Sequence, residues 1–158
     1  MTTQLLQEAT AFLWTEGDML DRREYSAWLD LWSEDGLYVV PVDPLETDFF
    51  NSLNYANDDA DMRRLRVERL TGGESISVSP APRTVRQISR VRIVGEEAGV
   101  VTVRSAQLLS EFRKNGVRSS AADVEYRLLR AGPGFKLQRK VVRLVNADDP
   151  QMIVGFIY

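Results

Sequence analysis

A chain of 158 residues, 44% hydrophobic and 27% charged with a net charge of −3, suits one globular domain over 1–158 with an unstapled core. It contains neither His nor Cys, which excludes disulfides, thiolate or imidazole metal sites, iron–sulfur ligation and every Ser–His or Cys–His nucleophile. No apolar run approaches the ~20 residues of a membrane helix and no signal peptide opens the chain, so it reads as soluble and cytoplasmic.

The first third is helical. Leu5, Leu6, Ala9, Phe12, Leu13, Met19 and Leu20 recur mostly three, four or seven apart, predicting an amphipathic helix over about 4–20. Asp21-Arg-Arg-Glu24 has the form of a capping box. Tyr25, Trp28, Leu29 and Trp32 then give a second helix, about 22–34, its core stripe, and Gly36 suits the left-handed position after it. Leu37–Val42 predicts a short strand stopped by Pro41 and Pro44. Residues 43–57 read as an acidic irregular loop interrupted by Phe49, Phe50, Leu53 and Tyr55; loops of that length are usually functional or interface-forming.

Asn57 or Asp58 can cap a third helix, about 58–70. Met62, Leu65 and Leu70 give it an inward face, and Arg63, Arg64, Arg66 and Arg69 a basic one. Thr71-Gly-Gly73 ends it, and Ser79-Pro-Ala-Pro82 is an extended link. Residues 84–145 are β: Thr84–Val94, Val100–Arg113, Val117–Arg130 and Phe135–Val145. Turns fall at Gly95–Gly99, at Asn115-Gly116 and at Gly132-Pro-Gly134. Such strands exceed the mean of roughly 5–6 residues about twofold, so they must coil or bulge. A parity slip at Val141-Val142 marks one such place. Helices followed by an antiparallel meander give an α+β fold. The expectation is a long curled antiparallel sheet closing as a cone around the N-terminal helices.

Charge is divided along the chain. Residues 1–61 hold 14 acids and two bases, the remainder nine acids and 18 bases, and Arg outnumbers Lys 17 to three. The basic residues are interleaved singly through strand-like segments. That argues for neutralisation by the acidic third, within the chain or in a neighbouring subunit, over a nucleic-acid partner.

Three segments then align with a known family. Leu20–Pro41 (LDRREYSAWLDLWSEDGLYVVP) resembles the N-terminal signature of the small (beta) subunits of aromatic-ring-hydroxylating dioxygenases. Asp58–Gly72 (DDADMRRLRVERLTG) and Pro82–Ile93 (PRTVRQISRVRI) are similar to that family's next two segments, and the resemblance spans roughly 5–145. It implies a cystatin-like, NTF2-like fold. It also implies a large (alpha) partner subunit carrying a Rieske 2Fe-2S cluster and a mononuclear iron. The small subunit in that family is mainly structural, commonly three with three large ones, so a homotrimer of this chain is expected, with no cofactor and no catalytic residue of its own. Two departures leave the aromatic substrate open. Arg86-Gln87 stands where the family often has His, and Gly155–Tyr158 follows its aromatic tail only loosely.

Candidate interface residues are Arg66, Arg69, Arg83, Phe49, Phe50 and Tyr55, since Arg, Tyr and Phe are enriched where subunits meet. The rival reading is a free-standing NTF2-like dehydratase or isomerase using a carboxylate and a Tyr inside the cone. Its candidates are Tyr25, Asp30, Tyr38, Asp123 and Tyr126. A third reading is a binding module holding a small ligand there.

Overall fold

The computed structural model describes residues 2–72, 82–114, 116–145 and 156–158. Helix α1 (Thr3–Asp21) opens the fold, followed by α2 (Tyr25–Asp30), β1 (Trp32–Pro41), β2 (Asn54–Asp58) and α3 (Ala60–Thr71). Strands β3 (Arg83–Glu97), β4 (Val100–Arg113), β5 (Gly116–Ala131) and β6 (Gly134–Leu144) complete it.

Helix α1 forms as its periodicity predicts. Thr2 Oγ1 caps it by accepting the Leu5 amide at 3.1 Å, and Leu5, Ala9, Leu13 and Leu20 bury one stripe. Gly17 lies on that stripe because a Cβ there would come 2.9 Å from Ile88 Cδ1 of β3. The capping box at Asp21–Glu24 does not form. Arg23 instead adopts φ 60°, with the Arg23 and Glu24 amides donating to Leu20 and Met19 carbonyls at 3.1 and 2.8 Å. That is a Schellman-type end to α1 with Arg in the left-handed position. The Asp21 carboxylate is taken by β3, and Glu24 makes no side-chain cap on α2.

The second helix stops at Asp30, short of the expected 34. The Leu31 carbonyl accepts the Leu137 amide at 2.7 Å, which pulls Trp32 into β1 beside β6. Gly36 is not left-handed. Its missing Cβ is what matters, since one would sit 2.7 Å from Trp32 Cε3 and 2.9 Å from the Leu137 carbonyl oxygen. Gly36→Ala should therefore cost about 1–3 kcal/mol by overpacking against backbone that cannot yield. Chemical denaturation of the variant, with an unchanged m-value, measures this.

The sheet corrects the expected cone. It has six strands in the order β2-β1-β6-β5-β4-β3. β1 runs parallel to β6 and every other pair is antiparallel, so the sheet is mixed. β2 and β3 remain as separate edges, so it is neither closed nor strongly curled. The long strands relax through local irregularities. One lies between Ser89 and Arg92, where Arg90 has φ 51°, another between Ile93 and Gly95, and a third between Arg127 and Leu128 opposite Gln138. The parity slip at Val141-Val142 is not among them. Both residues are buried because both sheet faces are covered there: Val142 meets the main core, Val141 a small cluster with Val39 and Phe49.

Residues 54–57, expected as loop, and Asp58, expected at the start of the third helix, form β2 and pair with β1. Helix α3 is capped by Asp59, whose Oδ1 accepts the Met62 amide at 2.9 Å, rather than by Asn57 or Asp58. Its faces follow expectation only in part: Leu70 packs on the core and Arg64 and Arg69 are exposed, as expected. Arg63 and Val67 are buried, while Met62 and Leu65 are exposed. The Arg63 guanidinium bonds the carbonyl of Gly36 and lies 4.3 Å from the Trp32 ring centroid, so hydrogen bonding and a cation–π contact compensate its burial. Gly73 and residues 79–81 of the expected link lie outside the described residues.

Strand β3 runs on to Glu97. The turn to β4 is Ala98-Gly99, with φ 51° and 78°, the signs a two-residue type I′ hairpin needs. Arg113 pairs with Gly116 across the next turn, whose Asn115 is outside the described residues. The core then fills between α1, α2 and one sheet face. Trp28, Trp32 and Tyr38 pack edge-to-face there at 5.4–6.5 Å.

Candidate functional site

Two regions carry chemistry-bearing side chains: a buried polar network beneath α1 and the outer surfaces. At the centre of the network, Lys140 of β6 and Glu16 of α1 are almost fully buried. The Lys140 ammonium donates to both Glu16 oxygens at 3.0 and 2.8 Å and to the Tyr158 carbonyl at 2.8 Å. Trp28 Nε1 donates to Glu16 Oε2 at 2.9 Å, and the Tyr158 amide to Tyr38 Oη at 3.0 Å. A second anchor stands beside it. Asp21 accepts from Thr84 Oγ1 at 2.9 Å and the Arg86 amide at 2.8 Å, and pairs with the Arg86 guanidinium. That guanidinium also donates to the Ile157 carbonyl.

Two cations from separate strands thus hold consecutive carbonyls of the buried segment Phe156–Tyr158. One of the two is Arg86, of the Arg86-Gln87 pair that departs from the resembled family. The network's carboxylates are saturated with donors, so it fixes structure and offers no free base. Sequence reading missed Glu16 and Lys140. The signal was there, because Glu16 falls three after Leu13 and four before Leu20, and Lys140 alternates with Val142 and Leu144.

The residues of the dehydratase reading do not converge. Tyr25, Tyr38 and Tyr126 are buried on the helix side of the sheet. Asp30 is exposed at the end of α2, its carbonyl accepting from Lys136. Asp123 points to the opposite sheet face and pairs with Arg104 at 2.7 Å and Arg90 at 3.7 Å.

Burial pushes the Tyr25, Tyr38, Tyr126 and Tyr158 hydroxyls above the ordinary phenol range. It pushes Lys140 down. Those phenols stay protonated in the fold where an unfolded chain ionises them, near pH ~10. Their contribution is therefore intact below pH ~10 and lost as pH rises beyond it. Lys140 acts oppositely, because its buried ammonium is less penalised as it deprotonates below pH ~10.4. Four phenols outweigh one amine, so stability should fall steeply above pH ~10. Phenolate absorbance for those tyrosines should rise together with unfolding, not before it.

The interface candidates divide by position. Phe49 is buried against Val39 and Val141, with the Arg143 and Arg139 guanidinium groups 5.6 and 6.0 Å from its ring centroid. Phe50 is 78% exposed and Tyr55 40%. Arg66 makes a two-bond pair with the buried Asp58 carboxylate at 2.5 and 3.0 Å. Arg69 and Arg83 are exposed and make no ion pair among the described residues. No group of three or more His, Cys, Asp or Glu that could hold a metal occurs among the described residues, and none of their helices is long and apolar enough to cross a membrane.

Comparison with known proteins bears on what such surfaces serve. The family profile described as "Ring hydroxylating beta subunit" matches residues 15–148. The chain is 33% identical over 119 residues to the benzene 1,2-dioxygenase subunit beta of Pseudomonas putida, covering 70% of this chain but only 64% of that protein. It is 31% identical over 150 residues to the biphenyl 2,3-dioxygenase subunit beta of Rhodococcus jostii, covering 87% and 80%. The crystal structure of the benzoate 1,2-dioxygenase beta subunit from Burkholderia mallei superposes with a TM-score of 0.75 at 27% identity, covering 94% of this chain and 95% of that one.

Proposed function

The chain belongs to the ring-hydroxylating beta-subunit family, and from that premise we propose that it is the non-catalytic, assembly-supporting subunit of a multicomponent aromatic-ring-hydroxylating dioxygenase. The family match over residues 15–148 carries the reading. Its partner is a large (alpha) subunit bearing the Rieske 2Fe-2S cluster and the mononuclear iron, in aromatic compound catabolism. Such centres are held by Cys and His, and this sequence has neither. The chain forms a cytoplasmic homotrimer that joins three large subunits, without nucleic-acid or membrane partners. Arg69, Arg83, Phe50 and Tyr55 serve its contacts from the surface, and Phe49 and Arg66 support them from beneath.

Co-expression with a Rieske-type large subunit, preferably one encoded beside this chain, tests the proposal. A stable complex should purify whose iron all resides on the large subunit, and the chain alone should turn over no aromatic substrate. Stoichiometric iron on the chain alone, or failure to bind any such large subunit, overturns it.

A further inference from the structure

The sheet face opposite α1 is only partly covered. Phe49 and the loop over residues 43–53 shield β1 and β6, whereas the outward positions of β3, β4 and β5 near the β4–β5 turn meet solvent. The register sets Phe112 opposite both Arg83 and Val117, with Leu108 and Val85 on the same face. All four apolar side chains are more than half exposed. The positions between them are uncharged: Ser110, Ser119 and Ala121, with Gln87 opposite Leu108. Arg83 supplies the charge at the rim, and among the described residues the next outward carboxylate on β5 is Asp123, which is paired with Arg104. Contiguous apolar surface of this kind marks an interaction site.

A second surface has the complementary character. The 43–53 loop exposes Leu45, Phe50 and Leu53. It also carries Asp43, Glu46 and Asp48, none ion-paired among the described residues. The loop is shaped from within. Asp43 accepts the Leu45 amide at 2.9 Å, Glu46 accepts those of Thr47 and Asp48 at 2.9 and 2.8 Å, and Arg143 holds the Pro44 and Glu46 carbonyls at 2.9 and 2.7 Å. A loop ordered beforehand loses little freedom on docking.

These two surfaces lie toward opposite ends of the strand order. We infer that the acidic, apolar loop 43–53 of one copy docks on the uncovered apolar face of β3–β5, beside Arg83, of a second copy. The contact is head-to-tail, and a closed ring of copies satisfies every loop and every face. It rests on the trimer in the proposed function and names the two surfaces that build it.

The test uses two full-length variants, Phe112→Ser on the face and Phe50→Ser combined with Leu53→Ser on the loop. All three positions are exposed, and thermal melting confirms that each variant folds. Sedimentation at micromolar concentration and moderate salt should show a trimeric wild type and two monomeric variants. Mixed in equal amounts, the variants should form a dimer and nothing larger, because one intact loop meets one intact face and the remaining pair is broken. Trimeric variants, or monomers that fail to combine, overturn the inference. Variants that stay trimeric but no longer co-purify with the large subunit assign the face to that subunit and overturn it likewise. A monomeric wild type is a different result, since it removes the trimer itself.

Discussion

Replacing Lys140 with Met is expected to destabilise the fold by about 3–5 kcal/mol, the usual cost of leaving one member of a buried ion pair alone. In a chain of this size that lowers the melting temperature by roughly 6–20 °C. Glu16 would be left with only Trp28 as a donor, and the Tyr158 carbonyl would lose its ammonium. Adding Glu16→Gln to the same chain removes the stranded acid and leaves an acceptor for Trp28 Nε1. The double variant should therefore regain more than half of the loss. Glu16→Gln alone completes the cycle. Melting followed by circular dichroism on the four chains gives the coupling directly, and a coupling below about 1 kcal/mol would show the pair to be dispensable.

Truncating the chain before Phe156 should have a larger effect. Phe156, Ile157 and Tyr158 are 7%, 1% and 7% exposed. At about 1.5–3 kcal/mol for each buried side chain, their loss approaches the 5–15 kcal/mol that holds a whole domain together. Arg86 and Lys140 would also each lose a carbonyl partner. The truncated chain should be insoluble, or compact without fixed packing, with near-ultraviolet dichroism lost and far-ultraviolet dichroism retained. Ile157→Ala keeps the carbonyl contacts and should cost about 2–5 kcal/mol. A truncated chain melting within a few degrees of the full one would mean that the segment covers the core without supporting it.

What could be read from the residues was local. Helix α1 falls where its period predicts, and strand β4 fills the span between two turn signals, although its buried positions include Ser105, Gln107 and Glu111. What failed depended on distant partners. Trp32 fits a helical stripe, yet pairing with Leu137 claims it for β1. Arg63 looks like surface charge, and the carbonyls of Gly36, Asp58 and Ser33 and the Trp32 ring offset its burial. Asp21 looks like a cap until β3 brings Thr84 and Arg86 beside it. The closed sheet failed for the same reason. No alternation pattern announces that β1 enters parallel to β6, and that insertion fixes which strands become edges. At the surface, residue type flagged Arg66 and Arg83 alike, but Asp58 engages one inside the chain and leaves the other exposed.

The parallel union of β1 with β6 also bears on how the molecule is made. Trp32 to Val39 find their partners in Leu137 to Val141, so this ladder closes a span of roughly 100 residues, the kind of non-local contact that slows folding. On a ribosome adding about 5–20 residues per second, α1, α2 and β1 wait on the order of 5–20 s before β6 emerges. Through that interval Trp28, Trp32 and Tyr38 have no sheet to lie against. Nascent chains should therefore be most vulnerable to aggregation just before the last strand is synthesised, and added chaperone capacity should raise soluble yield.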